Sequence, residues 1–221
     1  MAAVVAVGTN SIALSVPVRL LGERGRFVYW VDRVKNVCVF CGSRVGGPDV
    51  YAEAARRLGD LLARRGLGLV YGAGHIGLMG VLADAALAAG GRVVGVIPQD
   101  LVDRELAHRG LTELCVVDTM HQRKALMADR SDAFVALPGG YGTLDETFEI
   151  LTWGQLGLHT KPVGLLNVAG FFDSLLAWLD HAVREGLLKP KHRELLQVDA
   201  DAERLLTRLA VGPPTDLPQK W

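Results

Sequence analysis

From Asn36 onward, short β-branched apolar runs alternate with longer stretches of helical spacing. Val37 to Phe40, Gly68 to Tyr71, Arg92 to Ile97, Cys115 to Val117, Ala133 to Leu137 and Val163 to Asn167 are short, largely apolar blocks. Runs this brief, without regular polar alternation, predict strands buried on both faces of a parallel sheet. Between them lie predicted helices over Val50 to Arg65, Gly77 to Ala89, His121 to Arg130, Leu144 to Leu156 and Phe172 to Glu185. Strand then helix, repeated, predicts an α/β fold: one domain with a doubly wound, Rossmann-like, mostly parallel sheet and helices on both faces. Ligands of such sheets sit at the carboxyl ends of the strands, so the strand-to-helix turns are where chemistry is sought. No internal repeat or low-complexity linker interrupts the pattern.

The two ends depart from it. Met1 to Lys35 opens with an uncharged run to Val18 and continues through Arg19, Arg24, Arg26, Arg33 and Lys35. A signal peptide carries its charges before the apolar run, and Thr9, Asn10, Ser11 and Pro17 break this run too often for a membrane span. Residues 1–35 are therefore expected to be an appendage to a domain over 36–211. Three forms stay open for it: a disordered segment, the product of a start site placed too far upstream, or an extra strand over Arg26 to Val31. The proline-rich stretch over 212–221 is expected to be a loose tail.

Composition narrows the function classes. Twenty-four basic side chains balance twenty-four acidic ones, so no global field draws the chain to nucleic acid or to an anionic membrane. Any phosphate binding must be local. Half of the 221 residues are hydrophobic, enough to bury a core. The 26 glycines follow no short period, which excludes a collagen-like chain. Cys38, Cys41 and Cys115 cannot all pair within one chain and suit a reducing cytoplasm. Cys38 and Cys41 form a C-x-x-C, but no second such pair or paired histidines complete a metal site, so two thiols in a buried strand is the expected reading and no metal is expected.

The glycines cluster directly after predicted strands, where backbone N–H groups can converge on a phosphate without a Cβ in the way. The clusters are Cys41-Gly42-Ser43-Arg44, Tyr71-Gly72-Ala73-Gly74-His75-Ile76-Gly77 and Leu137-Pro138-Gly139-Gly140-Tyr141-Gly142-Thr143. Gly72, Gly74 and Gly77 fit G-x-G-x-x-G, but no acidic residue closes the next strand, and no Gly-Lys-Ser/Thr is present, so neither standard nucleotide fingerprint is complete. In the third cluster Thr143, Asp145 and Glu146 fall at the expected helix start, where free N–H groups favour an anion. Glu146 lies one turn beyond Thr143, so its carboxylate can reach the same cleft. The alternative is a capping box, Thr143 with Glu146 three residues on.

A further constellation runs from Met120 through His121, Gln122, Arg123 and Lys124 to Met127, with Asp118 and Thr119 as candidate N-caps. Spacing alone makes Arg123 and Lys124 a solvated helix face, Met120 and Met127 a core stripe, and Glu105 a loop charge.

Together these motifs resemble the Lonely Guy (LOG) family of cytokinin riboside 5'-monophosphate phosphoribohydrolases. Pro138 to Glu146 is similar to its PGGxGTxxE signature. The likeness extends in order through Val39 to Ser43, Tyr71 to Gly74 with Gly77 to Gly80, Gly95 to Pro98, Met120 to Lys124 and Thr152 to Gly157. Several motifs in register are far more specific than one glycine loop. The resemblance implies Arg123 and Glu146 as a catalytic pair. It also implies substrate contacts from Ser43, Gly74, Glu105, Lys124, Gly140, Tyr141, Gly142, Thr143, Leu144, Asp145 and Thr152. Ala73 departs from the family's usual third glycine and Arg44 from a common second serine; residues 1–35 have no counterpart.

The implied reaction is hydrolysis of the N-glycosidic bond of an N6-substituted adenosine monophosphate to free base and ribose 5-phosphate, with no cofactor and no metal. Two alternatives stay open: a general AMP or nucleotide nucleosidase, and a nucleotide or cofactor carrier without catalysis. Family members also bear the label lysine decarboxylase, a reaction that needs a Schiff-base lysine on pyridoxal phosphate. Lys124 beside Arg123 suits anion binding better. The resemblance further implies a cytoplasmic homodimer, with higher assembly in some members, and a small nucleotide as ligand.

Overall fold

The structure, a computed structural model, describes residues 34–104 and 106–212. The expectations for residues 1–33, the strand over Arg26 to Val31 included, and for the tail beyond Gly212 lie outside the described residues. Among the described residues seven strands form one sheet: β1 Asn36–Phe40, β2 Gly68–Tyr71, β3 Val93–Pro98, β4 Glu113–Val117, β5 Ala133–Ala136, β6 Val163–Leu166 and β7 Leu196–Asp199. Their order is β4-β3-β2-β1-β5-β6-β7 and every pairing is parallel. The chain winds outward from β1 to β4, returns to place β5 on the other side of β1, and winds outward again. The gap between β1 and β5 is thus the topological switch point, where the loops diverge and leave a crevice.

The helices are α1 Val50–Arg64, α2 Gly77–Ala88, α3 Gln99–Val102, α4 Met120–Asp129, α5 Tyr141–Gln155, α6 Asp173–Arg184, α7 Pro190–Arg193 and α8 Ala202–Val211. Strand periodicity sorts β1 between two cores. Val37 and Val39 pack with Leu58, Leu82 and Leu205 from α1, α2 and α8. Cys38 and Phe40 pack with Met127, Ile150 and Leu179 from α4, α5 and α6, and Phe40 stacks on Phe134 at 6.1 Å. Both faces of the central strands are covered, as a parallel sheet requires; at the edge strand β4, expected to be buried on both faces, Leu114 and Val116 on one face stay exposed.

Four local expectations are corrected. The six predicted strands become seven because β7, Leu-Gln-Val-Asp, is a half-exposed edge strand whose alternation lacks a continuous apolar run. The helix α8 after it, with Leu205, Leu206 and Leu209 buried and Asp201 accepting from Arg204 N–H at 2.8 Å, is likewise absent from the predicted helices. Helix α5 begins at Tyr141, one turn before Leu144, since Gly140 serves as its N-cap. Thr143 therefore lies inside the first turn and forms no capping box with Glu146. Met127 is core at 1% exposure, but Met120 is 43% exposed at the first position of α4, before the helix has reached the sheet.

Candidate active site

The three glycine turns meet at the switch point. Gly42 N–H donates to Pro138 O at 3.1 Å and Leu78 N–H donates to Gly42 O at 3.0 Å, tying the turn after β1 to the turn after β5 and to the start of α2. Gly77, at φ +66°, lies beneath the Ser43–Arg44 peptide, where a Cβ would come 2.2 Å from the Ser43 carbonyl carbon. Glycine alone permits both that φ and that approach. Ser43 is exposed at the rim, while Gly74 is buried against Met79.

The segment after α3 is strapped to the second turn. His75 N–H donates to Leu106 O at 3.2 Å and His108 N–H donates to Ala73 O at 2.8 Å, an antiparallel bridge between Gly74 and Ala107. Ala73 adopts φ +60° to present that carbonyl. Glu105, at the start of this strap, lies outside the described residues.

Helix α4 opens with a capping box. Gln122 N–H donates to Thr119 Oγ1 at 3.1 Å, and Thr119 N–H donates to Gln122 Oε1 at 3.3 Å. This fixes the helix start and sends Arg123 inward one turn later. Arg123 is 9% exposed, not solvated as spacing suggested. Its Nε donates to Val96 O on β3 at 3.1 Å and its Nη2 to Gly72 O at 3.0 Å. Gly72 is a requirement of that seat, since a Cβ there would fall 1.8 Å from Nη2. These two main-chain acceptors were invisible in the sequence, because nothing local links residues 72, 96 and 123.

Glu146 faces the guanidinium, with Oε1 3.9 Å from Arg123 Nη1. Burial raises its pKa from 4.5 to about 7; Arg123 opposes the rise, Asp145 and Glu149 add to it, and Lys124 opposes it more weakly. A carboxylate on the edge of ionisation beside a fixed cation is what environment-tuned chemistry uses.

Lys124 projects to α5, its Nζ 3.2 Å from Asp145 Oδ2 and 3.0 Å from Glu149 Oε2. Burial acts to lower its pKa, but the hydrogen bonds to Glu149 and Asp145 outweigh that and leave it raised. A Schiff-base lysine must instead be a readily deprotonated amine, so Lys124 does not fit pyridoxal phosphate chemistry. Glu149 was not singled out from sequence, although it lies one turn from Asp145 on the same helix face.

The start of α5 carries no side-chain cap. The N–H groups of Tyr141, Gly142 and Thr143 have no intrahelical acceptor, and the positive end of a four-turn helix lies there. Gly140 and Gly142 are exposed with open space where a Cβ would stand, and Tyr141 is 95% exposed. Thr143 is buried, its hydroxyl against Gly139, while Leu144 is half-buried and Asp145 exposed. Thr152 is not brought to the pair: it is exposed, donates to Phe148 O at 2.7 Å, and lies about 9 Å along the axis from Glu146.

The C-x-x-C lies elsewhere in function. Cys38 and Cys41 belong to the cores on opposite faces of the sheet. Burial, then the charge of Glu146, pushes both thiols up, so they stay protonated. Among the described residues no group of three or more His, Cys, Asp or Glu is placed to hold a metal, and no helix is long and apolar enough to cross a membrane.

A parallel doubly wound sheet with an uncapped helix start at its switch point, and a buried arginine facing a carboxylate beside it, defines the class of Rossmann-like nucleotide-binding proteins. Residues 79–209 match the family model described as "Possible lysine decarboxylase". The probable cytokinin riboside 5'-monophosphate phosphoribohydrolase LOGL5 of Oryza sativa subsp. japonica is 52% identical over 187 residues, 84% of this chain and 76% of the relative. The cytokinin riboside 5'-monophosphate phosphoribohydrolase LOG1 of Arabidopsis thaliana is 50% identical over 178 residues, 80% of this chain and 84% of the relative. Among solved structures, the molybdenum cofactor binding protein from Rippkaea orientalis superposes with a TM-score of 0.61 at 22% identity, over 80% of this chain and 96% of that one; this likeness concerns the fold alone. The chain belongs to the Lonely Guy family of phosphoribohydrolases.

Proposed function

We propose that this chain hydrolyses the N-glycosidic bond of N6-substituted adenosine 5'-monophosphates, releasing free cytokinin base and ribose 5-phosphate. The observation that carries the reading is the Arg123–Glu146 pair, at 3.9 Å, on the same edge of the sheet as the uncapped start of α5. Backbone N–H groups from Tyr141 to Thr143 hold the 5'-phosphate. That remote anchor positions the anomeric carbon, which is why a monophosphate is cleaved and a riboside is not. As the C1'–N bond breaks, its electron pair leaves with the base and positive charge grows on the ribose. Ionised Glu146 stabilises that charge, orients the water whose oxygen bonds to C1' and takes the proton that water gives up, while the departing base takes up a proton from solvent. Arg123, fixed on two carbonyls, binds the phosphate or ribose and steadies the carboxylate.

Contacts to the nucleotide are proposed from Glu105, Ser43, Gly74, Leu144, Asp145 and Thr152 as well, as the family resemblance implies. Thr152 lies away from its own protomer's charge pair, so it reaches a nucleotide across a subunit boundary, in a homodimer with sites near the interface. The cytoplasm is the proposed location, in keeping with three free cysteines.

The test is base release from N6-isopentenyl-AMP by purified protein, beside AMP, the N6-isopentenyl riboside and Glu146→Gln. Preferential release from the modified monophosphate, lost in the variant, is the expected result. Faster release from AMP makes the protein a general nucleosidase, and tight nucleotide binding without any release makes it a carrier.

A further inference from the structure

We infer that Lys124 is a positioning residue: by bridging Asp145 and Glu149 it sets where Glu146 stands relative to Arg123, and it does not itself touch the nucleotide. The inference rests on the hydrolase reading above and departs from the substrate contact that the family resemblance implies for this lysine.

The two members of the catalytic pair are held unequally. Arg123 is anchored to the sheet through Val96 O and Gly72 O. The Glu146 carboxylate makes no hydrogen bond within the described residues, and its one close cation is 3.9 Å away. Its position is therefore inherited from α5. That helix packs over β1 while α4 packs chiefly over β3, and the two meet in one core, where Met127 and Ile150 join Cys38 and Phe40. The link between them at the level of the pair is Lys124. Its ammonium takes Asp145, the residue before Glu146, at 3.2 Å and Glu149, one turn on, at 3.0 Å. Adjacent residues Arg123 and Lys124 on α4 thus meet adjacent residues Asp145 and Glu146 on α5 as two parallel rungs. With the Lys124 side chain 12% exposed and two donors already engaged, one N–H is left for anything else.

The charged and titratable groups around Glu146 are Arg123 and Lys124 on α4, Asp145 and Glu149 on its own helix, and the thiols of Cys38 and Cys41 from β1. Removing the ammonium leaves two carboxylates uncompensated beside Glu146, which makes it harder to ionise.

The experiment compares Lys124→Met and Lys124→Arg with the full wild-type chain on N6-isopentenyl-AMP, reading kcat, KM and the pH profile, with thermal melts to show that both fold. Lys124→Met lowers kcat roughly 10- to 100-fold with KM within about threefold, as expected when alignment rather than affinity is lost. The acidic limb of its profile moves to higher pH, and Lys124→Arg, which keeps both ion pairs, brings the limb back. An unmoved limb overturns the inference, and a KM raised about tenfold or more with the limb unmoved identifies a substrate contact instead. Carbon-13 titration of the Glu146 carboxyl group reads the same displacement without turnover. Absence of base release from wild type therefore refutes the hydrolase reading while leaving the role of Lys124 separately decided.

Discussion

Replacing Glu146 with glutamine separates what the carboxylate does for the reaction from what it does to the fold. Burial lifts this group from 4.5 to about 7, and its side chain is only 12% exposed. A raised carboxyl pKa means the folded state holds its proton more tightly than the unfolded chain does. The stability this confers is complete below about pH 4.5 and is lost as pH rises through about 7. At 1.36 kcal/mol per pH unit, ionisation at pH 8.5 costs the wild type about 3 kcal/mol relative to its protonated state. Glu146→Gln keeps the shape and cannot ionise, so it escapes that loss. Urea unfolding should find the two proteins equal within roughly 0.5 kcal/mol at pH 4 and the variant about 3 kcal/mol more stable at pH 8.5. Base release from the modified monophosphate should fall by at least about 100-fold in the same variant, while wild-type kcat/KM rises with an apparent pKa near 7. A stability difference that does not change between the two pH values refutes the reasoning, because the burial penalty on the charge would then be absent.

Three further outcomes follow from the same contacts. Gly72→Ala drives a methyl into Arg123 Nη2, 1.8 Å away, and should lower kcat/KM by about 100-fold or more in steady-state assays; retention of half the activity would show that the guanidinium has another seat. Tyr71 is fully buried with a hydroxyl that has no hydrogen-bond partner among the described residues, so Tyr71→Phe should stabilise the protein by about 1 kcal/mol in urea unfolding, and a loss of stability would reveal a partner for that hydroxyl. Thr119→Ala removes one half of the α4 capping box and should cost about 1 kcal/mol, measured the same way, with activity falling further than stability if the helix start orients Arg123.

The alternation of apolar blocks and helical stretches was enough to name the sheet class, because strands buried on both faces leave little room for polar residues. It failed at β7, where one face of an edge strand is wet and the hydrophobic run shortens to Leu196 and Val198. The glycine turns were legible as turns, and the family motifs picked out Arg123 and Glu146. Their burial was not legible: an Arg-Lys dipeptide on a helix reads as solvent-facing until the carbonyls of Gly72 and Val96, far apart in sequence, are seen to converge on it. Likewise Thr143 and Glu146 have the spacing of a capping box, and only the helix start at Tyr141 removes that reading. The Lys124 bridge was hidden for the same reason, since Asp145 and Glu149 come within reach only once α4 and α5 lie side by side.

The anchoring of Arg123 to main-chain carbonyls bears on how members of this fold diversify. A cation held by side chains can be lost or moved whenever those side chains drift, whereas Val96 O and Gly72 O persist through substitution at residue 96 and require only that residue 72 stay glycine. The rim is under no such restraint: the side chains of Ser43, Arg44 and Tyr141 are exposed and free to vary in character. On the proposed reading, side chains at the mouth of the crevice can change while the guanidinium stays tied to the sheet, so selectivity and catalytic competence are separately mutable.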